Sequence, residues 1–260
     1  MLVLLPPSET KRSGGEAVPL DWPALAFPPL TAARRSLARA LVLLSKNPDA
    51  AMAALKLGRT QTAEIERNRS LLTSLTMPAV DRYTGVIFDA LDAGTLTRQQ
   101  RVFAAQHVLV HSALFGPIGA LDPIPAYRIS HDSRLPGLAL KKHWAAPVAS
   151  VLEDAPGLLL DLRSEAYVAL GAAPRRAESV YLRVVTEVNG GTRALNHFNK
   201  KSKGEFVRAL VQNAVDFHNT TELIDWARSV RIILRPGAVG ELELVVDASG
   251  PAPAFTIFWP

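Results

Sequence analysis

Strand-like and helix-like segments follow one another along this chain without strict alternation, and their order constrains the fold more than any other feature. An apolar run at residues 2–5 ends at two consecutive prolines, which is typical of a buried strand. Residues 31–107 are dominated by helix-like segments, whereas the last third of the chain is richer in strand-like runs. We therefore predict an α+β fold: a single large domain over residues 1–260, with a mixed β-sheet, surrounding helices and a helical subregion at 31–107.

Local signals predict the boundaries of the elements. Helices are predicted at residues 31–46, 47–58, 60–75, 79–94 and 97–107, and the last opens with a capping box of Thr97 and Gln100. Strands are predicted at residues 108–116, 228–237, 241–250 and 254–260, and a hairpin at 179–198 that turns at Asn189, Gly190 and Gly191. A buried strand in 157–162 is predicted to run into a short helix capped by Ser164.

Composition excludes several classes of protein. Of the 260 residues, 48% are hydrophobic and 20% are charged, which fits a folded domain and not a disordered chain. The absence of cysteine excludes disulfides, thiolate zinc sites, iron–sulfur clusters and cysteine nucleophiles. No apolar run approaches the roughly 18 residues of a membrane span, and the N-terminal run is too short for a signal peptide. A soluble cytoplasmic monomer without membrane association is expected, and its net charge of +5 favours polyanionic partners.

The stretch "NKKSKGEFVRAL" at residues 199–210 is the most basic of the candidate sites. Ser202 with Glu205 forms a capping-box pattern, which predicts a helix that starts at Ser202. The nearby cations are Lys200, Lys201, Lys203 and Arg208. The helix macrodipole favours anions at the N-terminal end of a helix, so lysines at this position lower the stability of the helix. A bound phosphate would offset this unfavourable interaction. The alternative is a solvated, lysine-rich loop end.

Two further groups of polar residues lie next to predicted strands. One group directly follows an apolar strand and consists of Asp161, Arg163, Ser164 and Glu165. Ligands often bind at the carboxyl ends of strands, although such residues are equally ordinary at a helix start. The other group lies on a proline-rich loop and consists of Asp122, Tyr127 and Arg128. A rigid loop suits a functional site, although a packed connection with Asp122 capping a turn is the alternative.

A helical hairpin is predicted at residues 48–74, with a glycine turn at 57–60. Helix-hairpin-helix units present backbone N–H groups of such a turn to a nucleic-acid phosphate, although many helical hairpins have a glycine there for other reasons. The candidate nucleic-acid contacts are Arg59, Thr60, Arg67 and Arg69, together with Lys200 and Lys201. His107 and His111 are spaced like a metal pair, but zinc needs at least three protein ligands and no third lies nearby. No metal site and no cofactor are predicted.

Five blocks of this sequence, in this order, resemble the YaaA-type peroxide stress protein family. The blocks are "MLVLLPPSETK", "RYTGVIFDAL", "HSALFGPIGALDPIPAYRI", "LDLRSEAYVAL" and "NHFNKKSKGEFVRALVQN". The chain departs from the family pattern at Phe115 (tyrosine in the family), Asp161 (asparagine), Arg163 (alanine) and Lys203 (arginine). Lysine keeps the charge of arginine but lacks its bidentate fork for phosphate.

The resemblance implies a cytoplasmic bacterial protein of the hydrogen peroxide response, associated with lowering free intracellular iron and limiting oxidative DNA damage. It also implies DNA binding through a positively charged cleft and a helix-hairpin-helix element. The first hypothesis is therefore a protein that binds the phosphate backbone of double-stranded DNA.

The second hypothesis is an enzyme that acts on a nucleotide-like or nucleobase-like, phosphate-bearing small molecule. Its candidate catalytic groups are Glu9, Asp161, Ser164 and Glu165. Its candidate substrate-binding or anion-binding groups are Ser8, Lys11, Asp122, Tyr127, Arg128, Arg163, Lys200, Lys201, Lys203 and Arg208. Convergence of these groups in one cleft would favour the enzyme over a flat DNA-binding face.

Overall fold

The computed structural model describes residues 1–188, 191–194 and 199–246. The strands are β1 Leu2–Leu5, β2 Ala17–Pro19, β3 Leu75–Pro78, β4 Val108–Ser112, β5 Gly116–Gly119, β6 Pro123–Ile124, β7 Leu159–Asp161, β8 Ser179–Val188, β9 Gly191–Ala194, β10 Leu234–Pro236 and β11 Glu241–Val245. The α-helices are α1 Thr31–Leu44, α2 Pro48–Leu55, α3 Ala63–Arg69, α4 Ala79–Arg82, α5 Val86–Leu91, α6 Arg98–His107, α7 Leu140–Glu153, α8 Glu165–Val168, α9 Asn199–Asn213 and α10 Thr220–Ser229. The predicted α+β class is confirmed.

The main sheet is mixed, with a parallel centre and antiparallel edges. Its strand order is β10-β11-β8-β7-β1-β4-β5, and β9 pairs with β8 as a hairpin. The four pairings from β4 through β1, β7 and β8 to β11 are parallel. A smaller sheet joins β2, β3 and β6. Because β1 and β7 are parallel neighbours, their carboxyl ends lie side by side at one edge of the sheet.

Several predicted boundaries are confirmed by capping geometry. The capping box that opens α6 is present: Gln100 N donates to Thr97 Oγ1 at 3.3 Å and Thr97 N donates to Gln100 Oε1 at 2.9 Å. Asn47 caps α2, because its side chain accepts from Ala50 N at 3.2 Å. The two strands of the predicted 179–198 hairpin are confirmed. Its turn residues Asn189 and Gly190, and the strand predicted at 254–260, lie outside the described residues.

Other predictions are wrong because single residues with positive φ interrupt the chain. The helix predicted at 79–94 is two short helices, separated at Gly85 with a φ of 95°. The strand predicted at 108–116 ends at Ser112 and reverses into β5, which begins at Gly116 with a φ of 65°. The helix predicted at 47–58 is present as α2, but it ends earlier than predicted, at Leu55, because Lys56 adopts the left-handed conformation.

Two other helix predictions also differ from the structure. The segment predicted as one helix at 60–75 becomes a 3-10 turn, the short helix α3 and then the start of β3. Helix α10 at Thr220–Ser229 was not predicted, although Asn219 caps it by accepting from Glu222 N at 2.9 Å.

The predicted start of α9 at Ser202 is also wrong. The described helix begins at Asn199, and Ser202 lies inside it as a buried residue. Glu205 is not a capping partner, since its Oε1 lies 3.5 Å from Lys201 Nζ one turn earlier. Gly204 allows the first turns of α9 to pack directly on α5, where an added Cβ would lie 2.3 Å from Ile87 O. This packing contact, and not the local capping pattern, explains why the helix begins before Ser202 and continues through it.

Within the described part of the chain, no helix combines the length and the apolar character that crossing a membrane requires.

Candidate functional site

A cleft with a volume of ≈ 840 Å³ opens beyond the carboxyl ends of β1 and β7. One wall is the segment 6–10, which directly follows β1, and the start of α5 lies beside it. The opposite wall consists of the turn after β7, the first residue of α8, and Tyr181 and Arg183 of β8. The start of α9 closes one end, and His131 lies on the lining as well. The position matches the expectation that ligands bind at the carboxyl ends of strands.

The cleft brings together six of the predicted site residues from three separate segments of the chain. They are Ser8, Glu9, Ser164, Glu165, Lys200 and Lys203. The remaining predicted residues lie behind its walls or elsewhere on the molecule.

Lys203 is the buried cation of the cleft. Only 4% of the residue is exposed, and its Nζ donates to Leu162 O at 3.0 Å. The ammonium also lies 5.5 Å from the ring centroid of Tyr181, within the range of a cation–π contact. Burial lowers the pKa of Lys203 to about 8, and the charge of Asp161 opposes that shift. A buried ammonium beside the start of a helix is a favourable place for an anion.

Both carboxylates of the cleft lie near arginines. Glu9 Oε2 lies 2.5 Å from Arg128 Nη2, and the Glu9 carbonyl accepts from the same guanidinium at 3.3 Å. Glu165 Oε1 lies 3.7 Å from Arg183 Nη1. Because these arginines offset the two negative charges, the lysines of α9 leave the cleft with an excess of positive charge.

Ser164 stands at the start of α8 but does not cap it as predicted, because its side chain makes no capping hydrogen bond. Its hydroxyl is therefore not used by the helix, and Ser164 lines the cleft. On the opposite wall, Ser8 Oγ accepts from Thr10 N at 3.3 Å. The two walls thus each present a hydroxyl group to a ligand.

Lys11 and Tyr127 lie behind the wall that segment 6–10 forms. Lys11 Nζ donates to Ser8 O at 3.0 Å and to Glu9 O at 3.3 Å, and it lies 4.1 Å from the ring centroid of Tyr127. The Tyr127 hydroxyl lies 2.5 Å from the Tyr83 hydroxyl and 2.6 Å from Ser112 Oγ. Burial, followed by the charge of Arg128, lowers the pKa of Lys11 to about 7. These residues support the wall from below.

Asp161 and Arg163 form a buried bidentate ion pair at the end of β7. Arg163 Nε and Nη2 donate to the two carboxylate oxygens at 2.8 and 2.6 Å, and Arg163 is fully buried. Arg163 Nη1 also lies 2.6 Å from His111 Nδ1. Burial and the charge of Arg163 lower the pKa of His111 well below its usual value, so Nδ1 is the acceptor and Nε2 carries the proton. The pair holds the turn that precedes Ser164.

Three predicted site residues serve contacts away from the cleft lining. Asp122 Oδ2 accepts from Ala26 N at 2.7 Å and from Gly119 N at 2.9 Å. Arg208 Nη1 donates to the carbonyl oxygens of Leu91 and Asp92 at 2.9 and 3.0 Å, and so supplies hydrogen bonds to the carbonyl groups at the C-terminal end of α5. Lys201 pairs with Glu205 on α9, as described above. Asp122 and Arg208 therefore join separate parts of the fold, whereas the Lys201 pair lies within one helix.

The segment 48–74 contains α2, a 3-10 turn at Arg59–Gln61 and α3. The backbone N–H of Gly58, the natural phosphate donor in such a turn, donates instead to Gln61 Oε1 at 2.9 Å. Arg67 Nη1 lies 2.6 Å from Glu64 Oε1, and Arg69 Nε donates to Ser45 O at 2.7 Å. Arg59 and Thr60 are exposed at the tip. The structure therefore shows two helices joined by a turn, and the helix-hairpin-helix function stays a prediction.

Six polar residues of the lining were not identified as site residues from the sequence. They are Thr10, His131, Tyr167, Tyr181, Arg183 and Asn199. The sequence does indicate that Tyr181 and Arg183 lie on the same face of β8, because residues two apart in a strand face the same side of the sheet. His131 lies in the loop after the third of the five blocks, and no local pattern marks it as a site residue.

Comparisons with known proteins agree along most of the chain. The family described as peroxide stress protein YaaA matches residues 1–229. A UPF0246 protein of Corynebacterium glutamicum is 39% identical over 254 residues, which cover 95% of this chain and 100% of the relative. A UPF0246 protein of Streptomyces coelicolor is 40% identical over 257 residues, covering 97% and 94%, and one of Streptococcus pneumoniae is 26% identical over 200 residues, covering 75% and 81%. This chain therefore belongs to the YaaA family of peroxide stress proteins.

Proposed function

We propose that this protein acts in the peroxide stress response by binding DNA, with a phosphate of the backbone held at the start of α9 in the cleft. The observation that carries the proposal is the buried ammonium of Lys203, which lines the cleft beside Lys200 and the first turn of α9. A buried charge is costly unless a partner compensates it, and a phosphate supplies an opposite charge and several acceptor oxygens.

We propose that the helical turn near Arg59 adds a second contact, because the loop that contributes His131 to the cleft also contacts the end of α2. Lys56, at the end of α2, pairs with Asp132 at 2.6 Å, and Ala54 O accepts from Arg134 N at 2.9 Å. His131, in the same loop, lines the cleft. Arg59 and Thr60 follow α2 and are exposed, and we propose that a DNA backbone contacts both them and the cleft.

Titration of a short fluorescein-labelled DNA duplex by fluorescence anisotropy, at a series of salt concentrations, tests this proposal. Each phosphate that a cation neutralises contributes about −0.9 to the slope of log affinity against log salt. Lys200→Ala is expected to weaken binding and to reduce the slope by about one. Lys142→Ala is the matched control, because Lys142 is an exposed lysine of α7 outside the cleft lining.

The result that would overturn the proposal is binding that does not respond to salt, or an equal loss in Lys200→Ala and Lys142→Ala. Equal losses would mean that the duplex responds to net charge and not to the cleft. Arg59→Ala tests the second contact in the same assay, where the proposal expects a further reduction of the slope by about one.

A second candidate function is supported by the concave shape of the cleft. A depression of ≈ 840 Å³ with hydroxyls on both walls can enclose a small molecule, which a flat DNA-binding face does not require. In that function, Lys200 and Lys203 hold the phosphate of a nucleotide-like substrate, and Glu9, Ser164 and Glu165 are the groups near its reacting atoms. Competition in the same anisotropy assay separates the two: a free mononucleotide that displaces the duplex at micromolar concentration favours the enzyme.

We also propose, from family membership, that the protein limits free intracellular iron and oxidative DNA damage. Among the described residues there is no group of three or more histidine, aspartate or glutamate side chains placed to hold a metal ion. Electron paramagnetic resonance of chelated iron in peroxide-treated cells, with and without the protein, tests this. Equal iron signals in both strains would refute the proposal.

A further inference from the structure

The ammonium of Lys11 lies directly beneath the cleft wall formed by residues 6–10. Its Nζ contacts the backbone of that wall and not the cleft: the acceptors are Ser8 O at 3.0 Å and Glu9 O at 3.3 Å. The rings of Tyr127 and Tyr83 lie below it, with centroids 4.1 and 5.2 Å from Nζ. Only 7% of the residue is exposed. The ammonium is thus enclosed between two carbonyl groups and two aromatic rings.

The burial of the Lys11 ammonium is unfavourable for the stability of the folded protein. Within the described ranges, no carboxylate lies within 4.0 Å of Lys11 Nζ, and the nearest charged groups act in opposite directions. The charged groups that face it are Arg128, Glu64, Glu9 and Arg67, of which Arg128 has the largest influence and repels it. Replacing such a buried charge by an apolar side chain of similar length is often neutral or stabilising. A requirement other than stability therefore accounts for a lysine at this position.

The wall above Lys11 is connected to the neighbouring wall of the cleft. Lys11 forms an isolated antiparallel bridge with Tyr83, and Thr84 N donates to Thr10 O at 3.2 Å. The next residue, Gly85, lies so close that an added Cβ would be 3.2 Å from Ser8 Oγ. The conformation of segment 6–10 therefore also sets the position of Gly85 and the start of α5, both of which line the cleft.

We propose that Lys11 is a positioning residue of the cleft, whose charged ammonium holds the carbonyl groups of Ser8 and Glu9 so that the wall accepts a phosphate-bearing ligand. The inference rests on the proposed function and deepens it. Lys11 does not touch the ligand. It acts through the backbone of Ser8 and Glu9, while Arg128 holds the Glu9 side chain at 2.5 Å.

The charge of Lys11 changes within the physiological pH range, and this change affects protein stability and ligand affinity in opposite directions. The pKa of Lys11 is about 7 in the folded protein, against 10.5 for the free side chain. Between these values the unfolded chain binds the additional proton, so stability rises with pH across this window. Positioning by the ammonium is lost as the pH rises through about 7, so affinity falls where stability rises. A merely structural lysine would change stability alone.

Lys203 complicates the measurement, because its pKa of about 8 lies in the same range and its charge attracts the ligand directly. The test therefore compares each Lys11 variant with the wild-type protein at every pH, because Lys203 titrates in both and its effect cancels in the ratio of their affinities. The probe is the labelled DNA duplex, whose phosphodiesters do not titrate from about pH 6 to about pH 9. Affinity and thermal unfolding are measured across that range for the wild type, Lys11→Met and Lys11→Arg.

We expect the ratio of wild-type to Lys11→Met affinity to fall about tenfold between about pH 6 and about pH 9, with a midpoint near the pKa of Lys11. Lys11→Met is expected to bind weakly at every pH while unfolding at an equal or higher temperature. Lys11→Arg is expected to bind more tightly than the wild type at high pH, because its charge is retained there. Weak binding in Lys11→Met together with a lower unfolding temperature would assign Lys11 a structural role and overturn the inference.

The two proposals fail in different ways. If the wild-type protein does not bind the duplex at any pH, the proposed function fails and the inference falls with it. If the duplex binds but Lys11→Met has the affinity and pH profile of the wild type, the inference alone is refuted. If Lys11→Arg binds no better than the wild type at high pH despite a native unfolding temperature, charge is not the property that matters, which also refutes the inference.

Discussion

Substitution of Gly204 by alanine tests whether the crossing of α5 and α9 sets the geometry of the cleft. An alanine Cβ at this position would lie 2.3 Å from Ile87 O and 2.8 Å from Ala90 Cβ. Ordinary contacts begin near 3.4 Å, so the helices must separate by about 1 Å at this point. The nearest obstacle is a backbone carbonyl, which cannot rotate away as a side chain could.

Two opposing effects determine the magnitude. Alanine in a helix interior is favoured over glycine by about 1 kcal/mol. Overpacking a close helix contact costs about 1–3 kcal/mol, and more where backbone must move. Because the obstacle here is backbone, we expect the clash to win and the unfolding free energy to fall by about 2 kcal/mol. For a chain of this size, that corresponds to a decrease of roughly 4–8 °C in Tm.

The assay is thermal or urea unfolding followed by circular dichroism, with duplex affinity measured on the same samples. Gly94→Ala is the matched control, since an added Cβ there meets no atom within 4 Å. The control is expected to leave stability unchanged or to raise it by up to about 1 kcal/mol. Gly204→Ala is expected to weaken DNA binding as well, because the starts of α5 and α9 both line the cleft. An unfolding free energy at or above that of the wild type would refute the close-contact reasoning.

Two other substitutions distinguish structural residues from ligand-binding ones. Asp161→Ala is expected to lower the unfolding free energy, measured by urea denaturation, by about 3–5 kcal/mol. The reason is that the fully buried guanidinium of Arg163 loses its carboxylate partner. A loss below about 1 kcal/mol would contradict this reasoning. Arg208→Ala is expected to lower the unfolding free energy by about 1 kcal/mol, because the hydrogen bonds to Leu91 O and Asp92 O are lost. Its affinity for the duplex is expected to change by less than about twofold. A tenfold loss of affinity at unchanged stability would place Arg208 among the ligand contacts.

The elements that the sequence predicted well are those whose signals are local. The capping box of Thr97 and Gln100 and the cap at Asn47 depend on atoms within one helical turn, and both were found as predicted. The Ser202 pattern is of the same kind, yet the helix continues through it. There, burial of Ser202 and Lys203 and the close approach of Gly204 to α5 outweigh the local preference.

The candidate site shows the same limit at longer range. The side chains of Glu9 and Arg128 pair across 119 residues of sequence, and Lys203 Nζ bonds to Leu162 O across 41. Polar blocks could be recognised as candidates from their residue types, but which of them face a ligand depends on these distant contacts. Lys11 and Tyr127 were grouped with Ser8 as binding residues, and only the fold shows that they lie behind the wall that Ser8 forms.

Contacts within the fold occupy many of the arginines of this protein, which limits the number of phosphates that the proposed DNA-binding surface could neutralise. Several arginines are committed to backbone carbonyls inside the fold, namely Arg34, Arg82, Arg176 and Arg208. Others pair with carboxylates, as Arg163 does with Asp161 and Arg235 with Glu243. The net charge of +5 is therefore a poor guide to how many phosphates can be neutralised.

Around the cleft, the cations that remain are Lys200 and Lys203, because Arg183 pairs with Glu165 and Glu241. These two contacts, with the one proposed for Arg59 as a third, correspond to a salt slope of about −2 to −3, well below the slope of about −10 reached by proteins that follow a duplex for several phosphates. A slope in the lower range would indicate that the cleft holds a short stretch of backbone or a single nucleotide. The salt dependence of the wild-type protein therefore measures directly how much of a nucleic acid this fold can hold.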